Sequence, residues 1–235
     1  MNHRPTILAL VAAAAVCGCN NNAGYTPEPP KEVQKTTVAA GDEASLWPLA
    51  VGNQWVFEAT TTTANGTTVK DLTFKVTDNR KEGDKTIARI DILDGSKVVD
   101  SIDWAVDKTG IYQVTSTNQQ AKYDPPQLIV KFPIKDGETF SQQLNGPAPT
   151  TGKDVVGQKV ESTCLGMQEI DTGEGRMQAV AVESKTVFTY KDDTINTVAT
   201  IWFVPKVGMA RFIQETVGKK VAGKEIFRMK SHTAK

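Results

Sequence analysis

The sequence contains few of the residues that usually carry catalysis or bind metals. It has two histidines and three cysteines, whereas zinc frameworks and disulfide-stapled small domains need more of them. Beyond the amino-terminal segment His232 is the one histidine, so a Ser-His-Asp or Cys-His site would depend on it alone. No Gly-rich phosphate loop and no Gly-x-Gly-x-x-Gly dinucleotide motif are present. We therefore predict a non-enzymatic protein with no catalytic residues, no metal and no cofactor.

The chain also lacks an excess of charge of either sign. It has 27 basic and 27 acidic side chains, whereas nucleic-acid-binding proteins usually gather a basic excess on one face. We therefore expect no nucleic-acid partner. One modest basic cluster indicates a solvated sheet edge that discourages aggregation, with contact to anionic lipid as the alternative. It consists of Lys219, Lys220, Lys224, Arg228 and Lys230.

Leucine is scarce, and no long amphipathic helix pattern occurs. Nine leucines stand against 28 threonines and 24 valines, a bias that favours strands. Gln54–Thr62 and Thr67–Thr77 flank Asn65-Gly66, a pair that suits a type I′ hairpin. Further hairpin patterns follow, with turns at Asp94-Gly95 and Asp192-Asp193. The sequence predicts an all-β fold: one domain of antiparallel hairpins that form a strongly curved sheet or an incompletely closed barrel.

One predicted strand carries both apolar and acidic residues. Val98, Ile102, Trp104 and Val106 are expected to share its apolar face. A carboxylate pair suffices for glycoside hydrolysis, but the odd spacing of Asp100 and Asp103 places them on opposite faces. The simplest interpretation is that Asp91, Asp100 and Asp103 face solvent on a half-exposed sheet.

Residues 1–18 have the pattern of a lipoprotein signal peptide. The apolar run Ile7–Val16 is half the length of a membrane-spanning helix, which needs about 20 residues. Val16-Cys17-Gly18-Cys19 resembles a bacterial lipobox, which predicts cleavage before Cys19 and its acylation. The acyl chains would anchor the protein in a lipid bilayer. An ordinary secretory signal with incidental cysteines is the alternative.

Residues 19–44 are predicted to be the acylated cysteine followed by a disordered linker, and residues 45–235 the all-β domain. The linker is rich in Asn, Pro, Lys and Thr and has almost no large apolar residues. Asn20 follows Cys19 in place of the aspartate that retains many enterobacterial lipoproteins in the inner membrane. By this analogy we expect the bacterial cell envelope, and the outer membrane rather than the inner.

After cleavage, Cys164 would be the one cysteine without an acyl group. It lies between strand-like segments with no histidine nearby in the sequence. We expect a buried, inert thiol, with a reactive or intermolecular cysteine as the alternative.

Two segments of the chain repeat one pattern 85 residues apart. Both Trp47–Trp55 and Phe132–Phe140 contain aromatic-Pro-aliphatic-x-x-Gly-x-x-aromatic. Proline stiffens an extended entry, glycine allows a tight turn, and the last aromatic begins a strand. The repeated segments therefore indicate two similar strand entries. The aromatics either plug the core or line a ligand cavity.

These segments resemble those of a group of uncharacterised bacterial envelope lipoproteins. Pro48–Trp55 is similar to the start of the group's domain, and Phe132–Gly137 to its second segment. Gly175–Val182 and Trp202–Gly208 are similar to the strands that follow. The chain departs from the pattern at Phe140, where Trp is more usual. More loosely, the group resembles the curved, incompletely closed barrel of LolA- and LolB-type lipoprotein carriers, a likeness that bears on fold and not on function.

Two functional hypotheses follow. The first is a membrane-anchored binding or carrier module of the envelope, with an apolar ligand or lipid in a cavity. The residues expected to line it are Trp55, Phe57, Phe74, Trp104 and Phe140. The alternative is a structural or interaction lipoprotein that contacts other envelope proteins without a small ligand.

Overall fold

The computed structural model describes residue 38 and residues 43–115, 121–148 and 154–234. The predicted signal peptide, Cys19 and most of the predicted linker lie outside these residues. A 3-10 helix, Glu43–Leu46, precedes twelve strands. The strands are β1 Gln54–Thr63, β2 Gly66–Glu82, β3 Lys85–Asp94, β4 Lys97–Asp107, β5 Gly110–Thr115, β6 Lys122–Lys131, β7 Thr139–Pro147, β8 Val155–Thr172, β9 Gly175–Tyr190, β10 Asp193–Val204, β11 Gly208–Val217 and β12 Ala222–Thr233.

The strands form a closed, antiparallel, up-and-down barrel. Each strand pairs with its neighbours in sequence, and β12 pairs with β1 to complete the ring. The all-β prediction is confirmed, and the sheet closes fully rather than partly.

Backbone pairing in the described barrel is sparsest between β6 and β7. Only one residue pair, Asp124 with Asn145, joins their described backbones. The Gln142 side chain adds two contacts across this seam: its Nε2 donates to the Leu128 carbonyl at 2.7 Å, and its Oε1 accepts from the Leu128 N–H at 3.0 Å. A side-chain amide thus occupies two backbone positions of the ladder.

Alternation along each strand decides which side chains enter the barrel. In β2, Leu72, Phe74 and Val76 are buried, whereas Asp71 before them and Lys75 between Phe74 and Val76 are exposed. This period of two matches the predicted pattern, because successive side chains of a strand point to opposite faces. Closing the sheet places all the apolar faces together in one interior.

Two turns differ from the sequence prediction by one residue. The β1–β2 hairpin pairs Thr63 with Gly66, so its loop is Ala64-Asn65 and Gly66, at φ 123°, follows it. A type I′ turn instead forms at Lys191-Asp192, with φ of 46° and 65° between the paired Tyr190 and Asp193. Type I′ needs a positive φ at both central residues. Among the described non-glycine residues, a positive φ occurs only at Lys191, Asp192 and Lys206.

Because of a β-bulge in the β3–β4 pair, part of β4 presents different faces from those predicted. Ile92 pairs with Asp100 and Leu93 with Val98, so an extra residue separates the two pairs. Val98 is therefore exposed, although Ile102, Trp104 and Val106 are buried as expected. The prediction that Asp100 and Asp103 face solvent is wrong, because both are buried. Asp100 belongs to the inward face, opposite Ile92.

The two ends of the barrel are built differently. At the end where β1 begins, here called the plug end, the 3-10 helix places Leu46, Trp47 and Leu49 in the main core. The tip of the β8–β9 hairpin also packs there, against the end of β12. The Gly173 N–H donates to the Met229 carbonyl at 2.7 Å, and Glu174 accepts from the His232 backbone and contacts its ring. The opposite end is here called the far end.

At the far end a smaller apolar cluster closes one side of the barrel. Phe188, Ile195 and Val221 form it, separate from the main core. The Asp193 carboxylate holds the β11–β12 turn beside them by accepting the Lys219 and Lys220 backbone N–H groups at 2.9 and 3.0 Å. These hydrogen bonds, the one from Lys219 first, lower the pKa of Asp193.

Candidate functional site

Aromatic rings fill the interior at the plug end. The Trp47 ring stacks on Trp55 with centroids 4.7 Å apart and meets the edges of Trp104 and Phe203 at 5.6 and 5.9 Å. The Trp55 indole N–H donates to the Val207 carbonyl at 2.6 Å. Because their rings contact one another directly, these side chains form a packed layer across the barrel.

A second aromatic layer lies next to the first. Phe57 contacts Phe74 at 5.0 Å between centroids, Phe74 contacts Phe227 at 5.8 Å, and Phe227 stacks on Phe212 at 5.4 Å. The structure thus brings Trp55, Phe57, Phe74 and Trp104, four of the five residues expected to line a cavity, into one buried core cluster.

Phe140 lies apart from the other four. It is only partly buried on β7, opposite Ser162 of β8. Its segment nevertheless folds like the first copy of the repeat. Gly52 donates to the Val76 carbonyl and Gly137 to the Cys164 carbonyl, at 2.9 and 2.8 Å. Gly52 and Gly137 both have a positive φ, 91° and 76°. The repeat therefore marks two equivalent strand entries.

Trp47 is the aromatic residue that the predicted lining omits. It contacts three other rings, and Gly208 makes room for it, since a Cβ at Gly208 would lie 2.8 Å from the Trp47 ring. Its place as the first aromatic of the repeat is the sequence signal that could have identified it.

Towards the far end the interior becomes polar. Ser162 and Ser184 share a hydrogen bond at 2.8 Å, and Thr197 and Thr216 share one at 3.1 Å, all four side chains being buried. Each of these pairs joins directly opposite residues on neighbouring strands. Cross-strand hydroxyl pairs satisfy buried polar groups within the barrel wall.

Glu225 is the acidic residue of this polar region. Its side chain shares the inward face of β12 with Phe227 and Met229, and it lies opposite Thr61 of β1 and Gln214 of β11. Only 6% of Glu225 is exposed, and its Oε2 has no hydrogen-bond partner in the described part of the chain. Burial raises the pKa of Glu225 to about 7. Phe227 and Met229 are the apolar residues that mark the inward face of β12, but the apolar Ile226 on the opposite face and the charge of Glu225 conceal its inward position in the sequence.

The inward-facing residues around Glu225 are less completely buried than the aromatic layers. Thr186, Ala199 and Gln214 are half-buried. The strands that carry them are paired on both sides. We call the space bounded by Thr186, Ala199, Gln214 and Glu225 the interior polar region.

Other potentially reactive groups lie elsewhere in the protein. Cys164 is a free, buried cysteine as expected, and burial raises the pKa of its thiol. A raised pKa disfavours the reactive thiolate. In the described residues no group of three or more His, Cys, Asp or Glu side chains could hold a metal ion. Lys224 and Lys230 of the basic cluster pair with Glu215 and Asp71 on the outer face.

Among the helices within the described ranges, none is long and apolar enough to cross a membrane.

The chain is similar to three solved structures. A "putative lipoprotein" from Parabacteroides distasonis is 12% identical with a TM-score of 0.55, the match covering 80% of this chain and 98% of that one. A "putative exported protein with YmcC-like fold" from Bacteroides fragilis is also 12% identical, with the same coverage and a TM-score of 0.45.

The third structure, the hypothetical lipoprotein YmcC from Escherichia coli, is 8% identical with a TM-score of 0.38, over 81% of this chain and 89% of that one. No protein-family model and no curated protein matches the chain. The Parabacteroides structure therefore supports the fold alone.

Proposed function

We propose that this protein is a lipoprotein of the bacterial cell envelope, held in the outer membrane by acylated Cys19, whose barrel is a non-enzymatic binding or carrier module for an apolar ligand. The lipobox pattern Val16–Cys19 supports the anchor. The description of the Parabacteroides protein as a putative lipoprotein supports an envelope location.

The observation that carries the binding role is the difference between the two halves of the interior. Aromatic rings fill the plug end, whereas Ala199 and Gln214 keep accessible surface on the inward face nearer the far end. Apolar pockets with a few polar groups are the usual form of small-ligand sites. In this proposal Phe212 and Phe227 form the apolar floor, and the ligand enters from the far end.

Filling the interior polar region tests this proposal. The mature chain, residues 19–235 with Cys19→Ser so that it carries no acyl group, is titrated with N-phenylnaphthylamine, a neutral apolar fluorophore. We expect saturable binding that Ala199→Phe weakens by about tenfold or more, because the ring occupies the ligand's space. Val198→Phe is the matched control: Val198 is exposed on the outer face of the same strand, so its binding should match that of the parent.

Thermal melting of both variants shows whether they fold, and Ala199→Leu replaces a Phe variant that does not. Absence of saturable binding, or equal loss in both variants, contradicts the binding role.

A second candidate function, a structural or interaction lipoprotein, is favoured by one observation. Of the seven large apolar side chains that are exposed in the described part of the chain, six lie on the outer face in the half of the barrel towards the far end. They are Val69, Val98, Val155, Val187, Val198 and Val217. Exposed apolar surface often marks contacts with other proteins. Crosslinking to envelope proteins from these positions, in a chain that binds no apolar probe, would favour this function.

A further inference from the structure

Glu225 lies between the polar side chains of the interior and the phenylalanine rings that form the apolar floor. Its neighbour on the same face of β12 is Phe227, which stacks on Phe212 and contacts Phe74. A ligand lying on these rings would therefore have the carboxyl group within reach at its far-end side.

No described residue gives the Glu225 Oε2 atom a hydrogen bond. Burying an ionised carboxylate without a partner costs several kcal/mol, so such groups are rare in structural roles. Neither its own strand nor the two flanking strands place a cation inside the barrel: Lys224 and Arg228 face outward on β12, Arg211 of β11 lies opposite Arg228 on the same outer face, and β1 has no basic residue. Lys224 pairs with Glu215.

The charged groups that face the interior from other strands do not neutralise Glu225 either. Lys70 lies on the inward face of β2, opposite Ala59, and pairs with Asp94 at 3.7 Å. Asp100 faces inward from β4 and is itself acidic. The interior therefore holds an unmatched acidic group, and a ligand with a positive charge would complement it.

We infer that the ligand of the interior polar region is an amphiphile with an amine head group, and that Glu225 is the residue that selects for it. This inference rests on the proposed binding function. The ammonium group would donate to Oε2, the hydroxyl and amide groups around it would meet the remaining polar edge, and the hydrocarbon would lie on the phenylalanine layer. A carboxylate head group at the same place would be repelled.

Three ligands of equal chain length test the inference: dodecylamine, dodecanol and dodecanoic acid, each displacing N-phenylnaphthylamine from the mature chain with Cys19→Ser. We expect dodecylamine to bind at least about tenfold more tightly than dodecanoic acid, since a buried charge-assisted hydrogen bond is stronger than a neutral one. Glu225→Gln should remove most of this preference. Glu215→Gln, an outward-facing carboxyl on β11, should change nothing.

The outcomes separate the inference from the function on which it rests. If all three ligands bind equally, or if the preference persists in Glu225→Gln, the inference is wrong and the binding function stands. If N-phenylnaphthylamine does not bind, both fail. If it binds but none of the three ligands displaces it, the inference is wrong and the binding function stands. An amine-bearing phospholipid in place of dodecylamine distinguishes a lipid head group from a free alkyl amine as the source of the same chemistry.

Discussion

At the scale of single residues, the burial of Glu225 couples folding to pH. Its pKa rises from 4.5 to about 7 in the folded protein because burial disfavours the charged form. Between these values the unfolded chain has lost the proton and the folded chain keeps it. The free energy of unfolding therefore falls by on the order of 3 kcal/mol as the pH rises through this window, and it levels off above it.

Glu225→Gln should remove this dependence. The variant is expected to gain about 2–3 kcal/mol over the parent chain at about pH 8, and to differ little from it at about pH 4, where Glu225 is protonated in both states. Urea unfolding at the two pH values measures the difference. Glu215→Gln, whose carboxylate is exposed on the outer face, controls for the change in net charge. An equal gain at both pH values would show that Glu225 does not titrate as described.

The faces of single residues could be predicted from the sequence only where the alternation is unbroken. Leu72, Phe74 and Val76 face inward as expected, because no bulge interrupts them. Val98 and Asp100 do not follow expectation, because the β3–β4 bulge changes the face of one relative to the other. A bulge leaves little trace in the sequence, since its cause lies in the pairing with another strand.

At the scale of elements, the β8–β9 hairpin protects the end of β12. Beyond Arg228 the described backbone of β12 has no partner on β11, and the hairpin tip fills this place through Gly173 and Glu174. A Cβ at Gly173 would lie 2.3 Å from the Lys230 carbonyl oxygen. The hairpin can approach so closely only because residue 173 has no side chain.

Gly173→Ala should lower the free energy of unfolding by about 1–3 kcal/mol, because the hairpin tip must move away and leave the Met229 carbonyl without its hydrogen bond. Gly157→Ala is the matched control, since a Cβ there meets only an ordinary contact at 3.8 Å. Chemical denaturation measures both. Similar stability of the two variants would mean that the hairpin contact contributes nothing.

Hairpins were predictable from local patterns, but their turn types were not. Aspartate tolerates the positive φ of residue 192, but lysine at 191 is not a typical residue for it, and the two-residue connection of β9 to β10 imposes it. Asn65-Gly66 has the better sequence for type I′, yet the register of β1 and β2 shifts the loop by one residue.

At the scale of the whole molecule, the all-β fold followed from composition and alternation, whereas closure did not. Closure depends on the pairing of β1 with β12, whose residues lie more than 150 positions apart in the chain, as with Gln54 and Thr233. No local pattern encodes such a pairing. Four of the five aromatic residues predicted to face inward lie in the core, whereas Phe140 lies apart and Trp47 was not predicted. The buried acidic group, Glu225, was hidden among neighbouring lysines and arginines.

The proposed location of the whole protein in a membrane depends on the acylation of one residue, Cys19. In cells fed a labelled palmitate analogue, the full chain should carry the label and sediment with membranes. Cys19→Ala should lose both properties, because acyl chains supply roughly 0.8 kcal/mol of membrane binding per buried CH₂. Cys17→Ala, two residues away, should keep them. A label that survives Cys19→Ala, or disappears in Cys17→Ala, would place the anchor elsewhere.

The ring of twelve strands also sets the order in which the protein can finish folding. Eleven of its pairings join consecutive strands, but the twelfth needs β12, Ala222–Thr233, to reach β1. A chain that crosses the inner membrane amino end first presents β1 long before β12. Until then β1 and the most recently delivered strand both expose unpaired edges, where strands of other chains can add. For a chain exported as proposed, the final strand therefore determines how long each copy exposes unpaired strand edges to its neighbours.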